Sequence, residues 1–107
     1  MDNYAWLNTI PQGWVNLARK MIEECEAIDP TYHICDLKEK WGTLEVIANC
    51  DMNYWREIDI IENKYEELSA RTCCICGKPA TKFSTGWVCP YCDNCGTKDE
   101  KFYKRFK

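Results

Sequence analysis

The sequence predicts an α+β fold: a helix–β-hairpin–helix body followed by a C-terminal cysteine-stapled ribbon and a short helical tail. Three observations predict it. Two stretches with apolar residues every three or four positions flank a stretch of period-two alternation. Lys40-Trp41-Gly42 lies between the two halves of that stretch, which read as the strands of a β-hairpin. Two C-x2-C pairs of cysteines follow after residue 72.

The first helix starts at Thr9-Ile10-Pro11-Gln12. Thr9 is placed to cap, Gln12 lies three residues on, and proline is tolerated in a first turn. Trp14, Leu17, Ala18, Met21, Ile22, Cys25 and Ile28 form its apolar stripe, and the helix runs to about Ala27. Asp29-Pro30 ends it, because the residue before proline disfavours helix.

The hairpin comes next. Tyr32 to Lys38 alternates, with His33, Cys35 and Leu37 on one face and Tyr32, Ile34, Asp36 and Lys38 on the other. Thr43 to Ala48 places Leu44 and Val46 on one face and Ile47 on the other.

A second helix spans about Asn53 to Ser69, with a stripe of Tyr54 or Trp55, Ile58, Ile61, Tyr65 and Leu68. Its other face carries Glu57, Asp59, Glu62, Glu66 and Glu67. Solvation alone accounts for such a face; as a functional surface it would dock a basic protein. Both helices are expected on one face of the hairpin, since two strands alone are marginal. Residues 1–71 make this body, and residues 72–107 the ribbon and basic tail, together one compact unit.

In the ribbon, Thr72-Cys73-Cys74-Ile75-Cys76-Gly77 supplies one C-x2-C pair. Val88-Cys89-Pro90-Tyr91-Cys92-Asp93-Asn94-Cys95-Gly96 supplies two overlapping ones. Two intervening residues let a tight turn aim both sulfurs at one ion, and two facing turns make a tetrahedron. For the second pair, Cys89/Cys92 competes with Cys92/Cys95. Gly77 follows Cys76 and Gly96 follows Cys95, where a positive φ is useful, whereas Asp93 follows Cys92. The matched pattern selects Cys73, Cys76, Cys92 and Cys95 as ligands of one structural zinc ion. Cys74 and Cys89 are then spare thiols, still close enough in sequence to replace a ligand. Ser84-Thr85-Gly86 is the ribbon turn, with Phe83 and Trp87 covering a small core.

A four-thiolate site has no open position, unlike catalytic zinc. A redox dithiol wants a thioredoxin-like context, and a rubredoxin-like iron site wants the glycine that Cys92 lacks. Cys25, Cys35 and Cys50 are expected to be small buried side chains, and His33 a packed strand residue. In the tail, Thr97 and Glu100 form a capping box for a short helix that packs Phe102, Tyr103 and Phe106 on the body. The alternative for the tail is phosphate contact through Lys101, Lys104, Arg105 and Lys107.

Composition narrows the function classes. The nine cysteines are odd in number, and the start Met1-Asp2-Asn3-Tyr4 is unlike an export signal. No apolar run is long enough for a membrane span. A cytoplasmic protein without a membrane partner is expected, with clustered cysteines as metal ligands. Net charge is −3 overall. Residues 1–71 carry 7 Lys/Arg against 14 Asp/Glu, net −7; residues 72–107 carry 7 against 3, net +4. The acidic body is a poor partner for phosphates and suits a basic protein surface. No nucleotide loop, zinc-protease or nucleophile-elbow motif is present, and His33 is the only histidine. No catalytic residue is assigned, and the chain is read as a non-enzyme.

Asp36-Leu37-Lys38-Glu39-Lys40-Trp41-Gly42-Thr43-Leu44 resembles the K-E-K-[FW]-G-x-L hairpin motif of small zinc-ribbon proteins of bacteriophages and prophages. In those, a helix, this hairpin, a second helix, a C-x2-C-G knuckle, a G-W pair and a closing C-x2-C follow in order. Here the order is kept over about residues 10–96, with Gly86-Trp87 as the pair; Cys74 and Cys89 are departures. The resemblance implies a phage origin and supports the Cys92/Cys95 register. Some similar zinc-binding phage proteins block CRISPR nucleases. The expectation is therefore an anti-CRISPR inhibitor that binds a host nuclease of the Cas9 type through Glu57, Asp59, Glu62, Glu66 and Glu67 and blocks nucleic-acid loading. The alternatives are a DNA-binding zinc-ribbon regulator and a virion or assembly component.

Overall fold

The computed structural model of the chain describes residues 2–83 and 89–96 and the backbone of residues 103–104. Helix α1, Val15–Ile28, follows directly on a 3-10 turn at Gln12–Trp14. Trp14, Ala18, Met21, Ile22 and Cys25 are buried at the spacing expected, with Leu17 and Ile28 partly buried beside them. The start differs from expectation. Thr9 is the last residue of a separate 3-10 helix, Asn3–Thr9, whose N-cap is Asp2. The Thr9 hydroxyl lies 2.7 Å from the Trp6 carbonyl oxygen and 2.9 Å from that of Leu37, so it caps nothing in α1.

Strands β1, His33–Lys40, and β2, Thr43–Asn49, pair antiparallel. The turn between them has φ of +55° at Trp41 and +84° at Gly42. Two successive positive φ values make a type I′ turn, whose twist matches that of the strands. The Glu39 carboxylate accepts the Gly42 amide at 2.9 Å and braces it.

The strict alternation expected for β1 is broken. A register shift between Ile34 and Asp36 leaves Cys35 as a bulge. The extra residue changes the phase of the strand, so Ile34 and Leu37 are both buried while His33 and Cys35 are exposed. Leu37 thus joins the Ile34 face, and Cys35 and His33 are not packed as expected. On β2, Leu44 is buried, Val46 packs against the core, and Ile47 points outward.

The free edge of β1 is covered by the first 3-10 helix. The Asn3 side chain accepts the Ile34 amide at 2.9 Å and donates to the Tyr32 carbonyl at 2.8 Å. One amide side chain thus satisfies two backbone groups that an edge would otherwise expose.

Helix α2, Trp55–Ala70, follows a 3-10 turn at Met52–Tyr54 that Asp51 caps. Ile58, Ile61 and Tyr65 are buried, but the stripe ends at Ser69 rather than Leu68. The Ser69 Oγ accepts the Leu44 amide at 2.7 Å, tying the hairpin to the last turn of α2. Tyr54, Trp55 and Leu68 are exposed. Lys64 bridges to Glu24 of α1 at 3.0 Å, and the Tyr65 hydroxyl donates to the same carboxylate. Asp29, at the end of α1, is buried. Its carboxylate accepts the Thr31 hydroxyl at 2.6 Å, the Thr31 amide at 2.8 Å and the Asp51 amide at 2.7 Å. Those bonds hold its carboxyl below the usual range, the Thr31 hydroxyl contributing most.

The last third holds β3, Lys82–Phe83, β4, Pro90–Tyr91, a single turn α3, Asp93–Gly96, and β5, Tyr103–Lys104. Their order is β4-β3-β5. At residues 103–104 the backbone is a strand paired to β3, where a helix was expected. The Ser84-Thr85-Gly86 turn, Trp87 and the capping box at Thr97 and Glu100 lie outside the described residues, as do Lys101, Phe102 and residues 105–107. Among the described residues, no helix is long and apolar enough to cross a membrane.

Candidate metal centre

The first pair of cysteines is carried by a tight hairpin loop. Thr72 bridges to Pro79, the Cys73 amide donates to the Lys78 carbonyl at 2.7 Å, and the Gly77 amide donates to the Cys73 carbonyl at 3.0 Å. Gly77 has φ of +82°, the left-handed conformation expected after a knuckle. The second pair is built differently. Cys92 precedes α3 and Cys95 lies within it, so Gly96 closes a helical turn rather than a second left-handed one. The two limbs are joined by bonds from the Cys74 amide to the Pro90 carbonyl, 3.0 Å, and from the Thr81 amide to the Tyr91 carbonyl, 2.9 Å. The Thr81 hydroxyl also donates to Asp93 at 2.6 Å, fixing the start of α3.

This brings the sulfurs of Cys73, Cys76, Cys92 and Cys95 within 4.8 Å of one another. Cys76 and Cys92 sulfurs are 3.5 Å apart. A tetrahedron with metal–sulfur bonds of about 2.3 Å has sulfurs about 3.8 Å apart, so the cluster has the size such a group needs. The four residues could hold a metal ion, and they are the four that the glycine pattern selected. Cys73 and Cys92 are buried, Cys95 is half-buried and Cys76 is exposed. Cys76 opens on a groove of 370 Å³ that Gln12, Asn16, Lys20 and Ile75 help to line.

As thiols, Cys92 and Cys95 differ in acidity. The Cys92 thiol is pulled down to about 6, chiefly by the Cys95 amide that donates to its sulfur. The Cys95 thiol is pushed up to about 12, chiefly by its hydrogen bond with Cys92. A bound dication would override this difference, since it deprotonates every coordinating thiol.

Cys74 and Cys89 stay outside the cluster. Both are buried and belong to the body's hydrophobic core. Their thiols are hydrogen-bonded to each other, which, ahead of burial, raises that of Cys74 well above its ordinary value. They serve as core residues beneath the centre.

The contact between the centre and the body rests on residues that motif reading passes over. Gly13 packs on the first loop, where a Cβ would lie 2.1 Å from the Cys73 carbonyl oxygen and 2.6 Å from the Cys74 carbonyl carbon. The Gly13 amide donates to the Cys74 carbonyl at 2.8 Å. The Trp14 indole Nε1 donates to the Thr72 carbonyl at 2.9 Å. A glycine at the start of a helical pattern was the available signal, because it marks close backbone approach.

The five acidic residues of α2 are not brought onto one face. At about 100° per residue, Asp59, Glu62 and Glu66 share one flank, Glu67 lies on the outer face, and Glu57 lies about 160° from Asp59. Glu57, Asp59, Glu66 and Glu67 are exposed. Glu62 is half-buried and accepts the Tyr32 hydroxyl at 2.8 Å, and burial raises its carboxyl above the ordinary value.

Comparison with protein families, with curated proteins and with solved structures finds no match for this chain. The resemblance to phage zinc-ribbon proteins therefore rests on its motif residues alone.

Proposed function

We propose that this chain is a zinc-stabilised, phage- or prophage-encoded protein that binds and inhibits a host defence nuclease of the Cas9-type CRISPR class. It acts as an anti-CRISPR without chemistry of its own, by occupying the surface through which the nuclease loads nucleic acid. The observation that carries this reading is the charge of the body, net −7 over residues 1–71, with Asp59, Glu66 and Glu67 exposed on adjacent sides of α2. Such a surface complements a basic channel and repels free nucleic acid.

The ion in this reading is zinc, held by Cys73, Cys76, Cys92 and Cys95. Four soft thiolates in a tetrahedral group suit zinc, and with no open position the ion crosslinks the chain rather than activating water. The test is cleavage of target DNA by a purified Cas9-type nuclease, with the protein added before or after guide loading. The expected result is slower cleavage, strongest when the protein is added first. Unchanged cleavage at saturating protein, with no complex on gel filtration, overturns the reading.

The net +4 of residues 72–107 favours a second reading, a DNA-binding ribbon regulator. That reading requires DNA affinity that falls steeply with salt. Absence of any DNA shift at low salt removes it.

A further inference from the structure

Trp41 is 76% exposed at the tip of the β1–β2 hairpin. It adopts φ of +55°, a left-handed conformation that is an outlier for a bulky side chain. The first central position of a type I′ turn favours asparagine, which tolerates that conformation. Folding therefore gains little from tryptophan here and bears its strain. The turn beneath it is held firmly: Glu39 binds the Gly42 amide, and Lys40 bridges to Glu45 at 3.4 Å across the strands.

The tip also has defined surroundings. The bond between Leu44 and Ser69 brings the hairpin end to the last turn of α2. There Glu66, Glu67 and Leu68 are exposed. The hairpin that carries this apolar anchor thus packs on the acidic last turn of α2, where Glu66 lies about 60° around the helix from Ser69 and Glu67 on the outer face. Tryptophan is the residue type that most often dominates an interface, because it carries large apolar area on few rotatable bonds.

We propose that Trp41 is the anchor of the partner-binding surface and inserts into an apolar pocket of a protein whose rim is basic, with Glu66 and Glu67 meeting that rim. The charge of the body selects this occupant, since a net of −7 over residues 1–71 opposes both nucleic-acid phosphates and anionic lipid. The inference rests on the inhibitor reading above and assigns its contact to the hairpin tip rather than to the middle of α2.

The test uses the full chain with a purified Cas9-type nuclease as probe and compares the parent with W41N, W41Y and E66Q/E67Q. W41N is expected to unfold at the same temperature as the parent or higher, and to bind at least about tenfold more weakly. W41Y is expected to keep most of the affinity. E66Q/E67Q is expected to slow association and flatten its salt dependence. Equal affinity of W41N and parent overturns the hairpin anchor while leaving the inhibitor reading in place. A markedly lower unfolding temperature for W41N makes Trp41 a folding residue and also overturns it. A parent that does not bind the nuclease overturns the inhibitor reading, and the anchor with it. Trp41-dependent binding to duplex DNA or to vesicles of anionic lipid overturns the protein occupant.

Discussion

Replacing Gly13 with alanine separates the metal loop from the body by one methyl group. The φ of Gly13 lies outside the left-handed region, so backbone conformation does not oppose alanine. Taken alone, the exchange would stabilise by about 0.4–1 kcal/mol through the unfolded chain. Sterics reverse that sign. The new Cβ would meet the Cys73 carbonyl oxygen at 2.1 Å, and the obstructing atoms are backbone, which cannot rotate away. The loop must retreat by at least about 1.3 Å to reach ordinary contact. That retreat stretches the Gly13 amide bond to the Cys74 carbonyl, 2.8 Å, and the Trp14 indole bond to the Thr72 carbonyl, 2.9 Å. Overpacking costs about 1–3 kcal/mol, and stranded buried polar groups about 1–3 more. A net loss of about 2–5 kcal/mol follows, which at this chain length lowers the melting temperature by roughly 10–30 °C. Thermal unfolding of the metal-loaded protein measures it, with a chelator competition reporting whether the ion is held more weakly. A G13A variant as stable as the parent would refute the close approach and the reasoning built on it.

Three further outcomes follow from the same packing. A strong chelator should unfold at least residues 72–96 and lower the melting temperature of the body, read by circular dichroism and amide exchange; full retention of structure without metal would contradict the clamp. D29N should be less stable than the parent at neutral pH. Because the folded carboxyl is held below its usual value, the stability from Asp29 is present above about pH 3.9 and is lost as pH falls through the lower folded value. Melting temperature against pH should accordingly fall less steeply at the acid end for D29N than for the parent; parallel curves would count against it. S69A leaves the Leu44 amide without its acceptor and should cost about 1–3 kcal/mol, measured by urea unfolding, with no change in metal content.

The elements with strong local signals were legible in the sequence. The stripe from Trp14 to Cys25 needs only period 3.6, and the four sulfurs need only their spacing and one left-handed glycine. What was not legible depends on contacts distant in sequence. Thr9 reads as a cap from its neighbours, but the hairpin offers it the Leu37 carbonyl, and a separate 3-10 helix ends there instead. Asn3 gives no pattern signal because its two partners lie about 30 residues away on β1. The bulge at Cys35 shifts the strand's phase, and period-two reading carried past it places Leu37 on the wrong face. Ser69 displaces Leu68 because a buried amide needs an acceptor more than the core needs another leucine. The acidic residues of α2 read as one face only when counted; placed on a helix, Glu57 and Asp59 separate.

The seam between Gly13-Trp14 and Thr72-Cys74 also sets an order of events during synthesis. The Trp14 indole and its acceptor are 58 residues apart. At about 5–20 residues per second, α1 exists for roughly 3–12 s before its acceptor is made, and longer before Cys92 and Cys95 follow. Through that interval Trp14 has no partner for its N–H, and the apolar end of α1 faces water or a chaperone. A starved metal supply would leave the loop that carries this acceptor without its clamp after it is made. The nascent chain would then be most vulnerable to proteolysis at the beginning of its first helix, far in sequence from the cysteines whose loading ends the exposure.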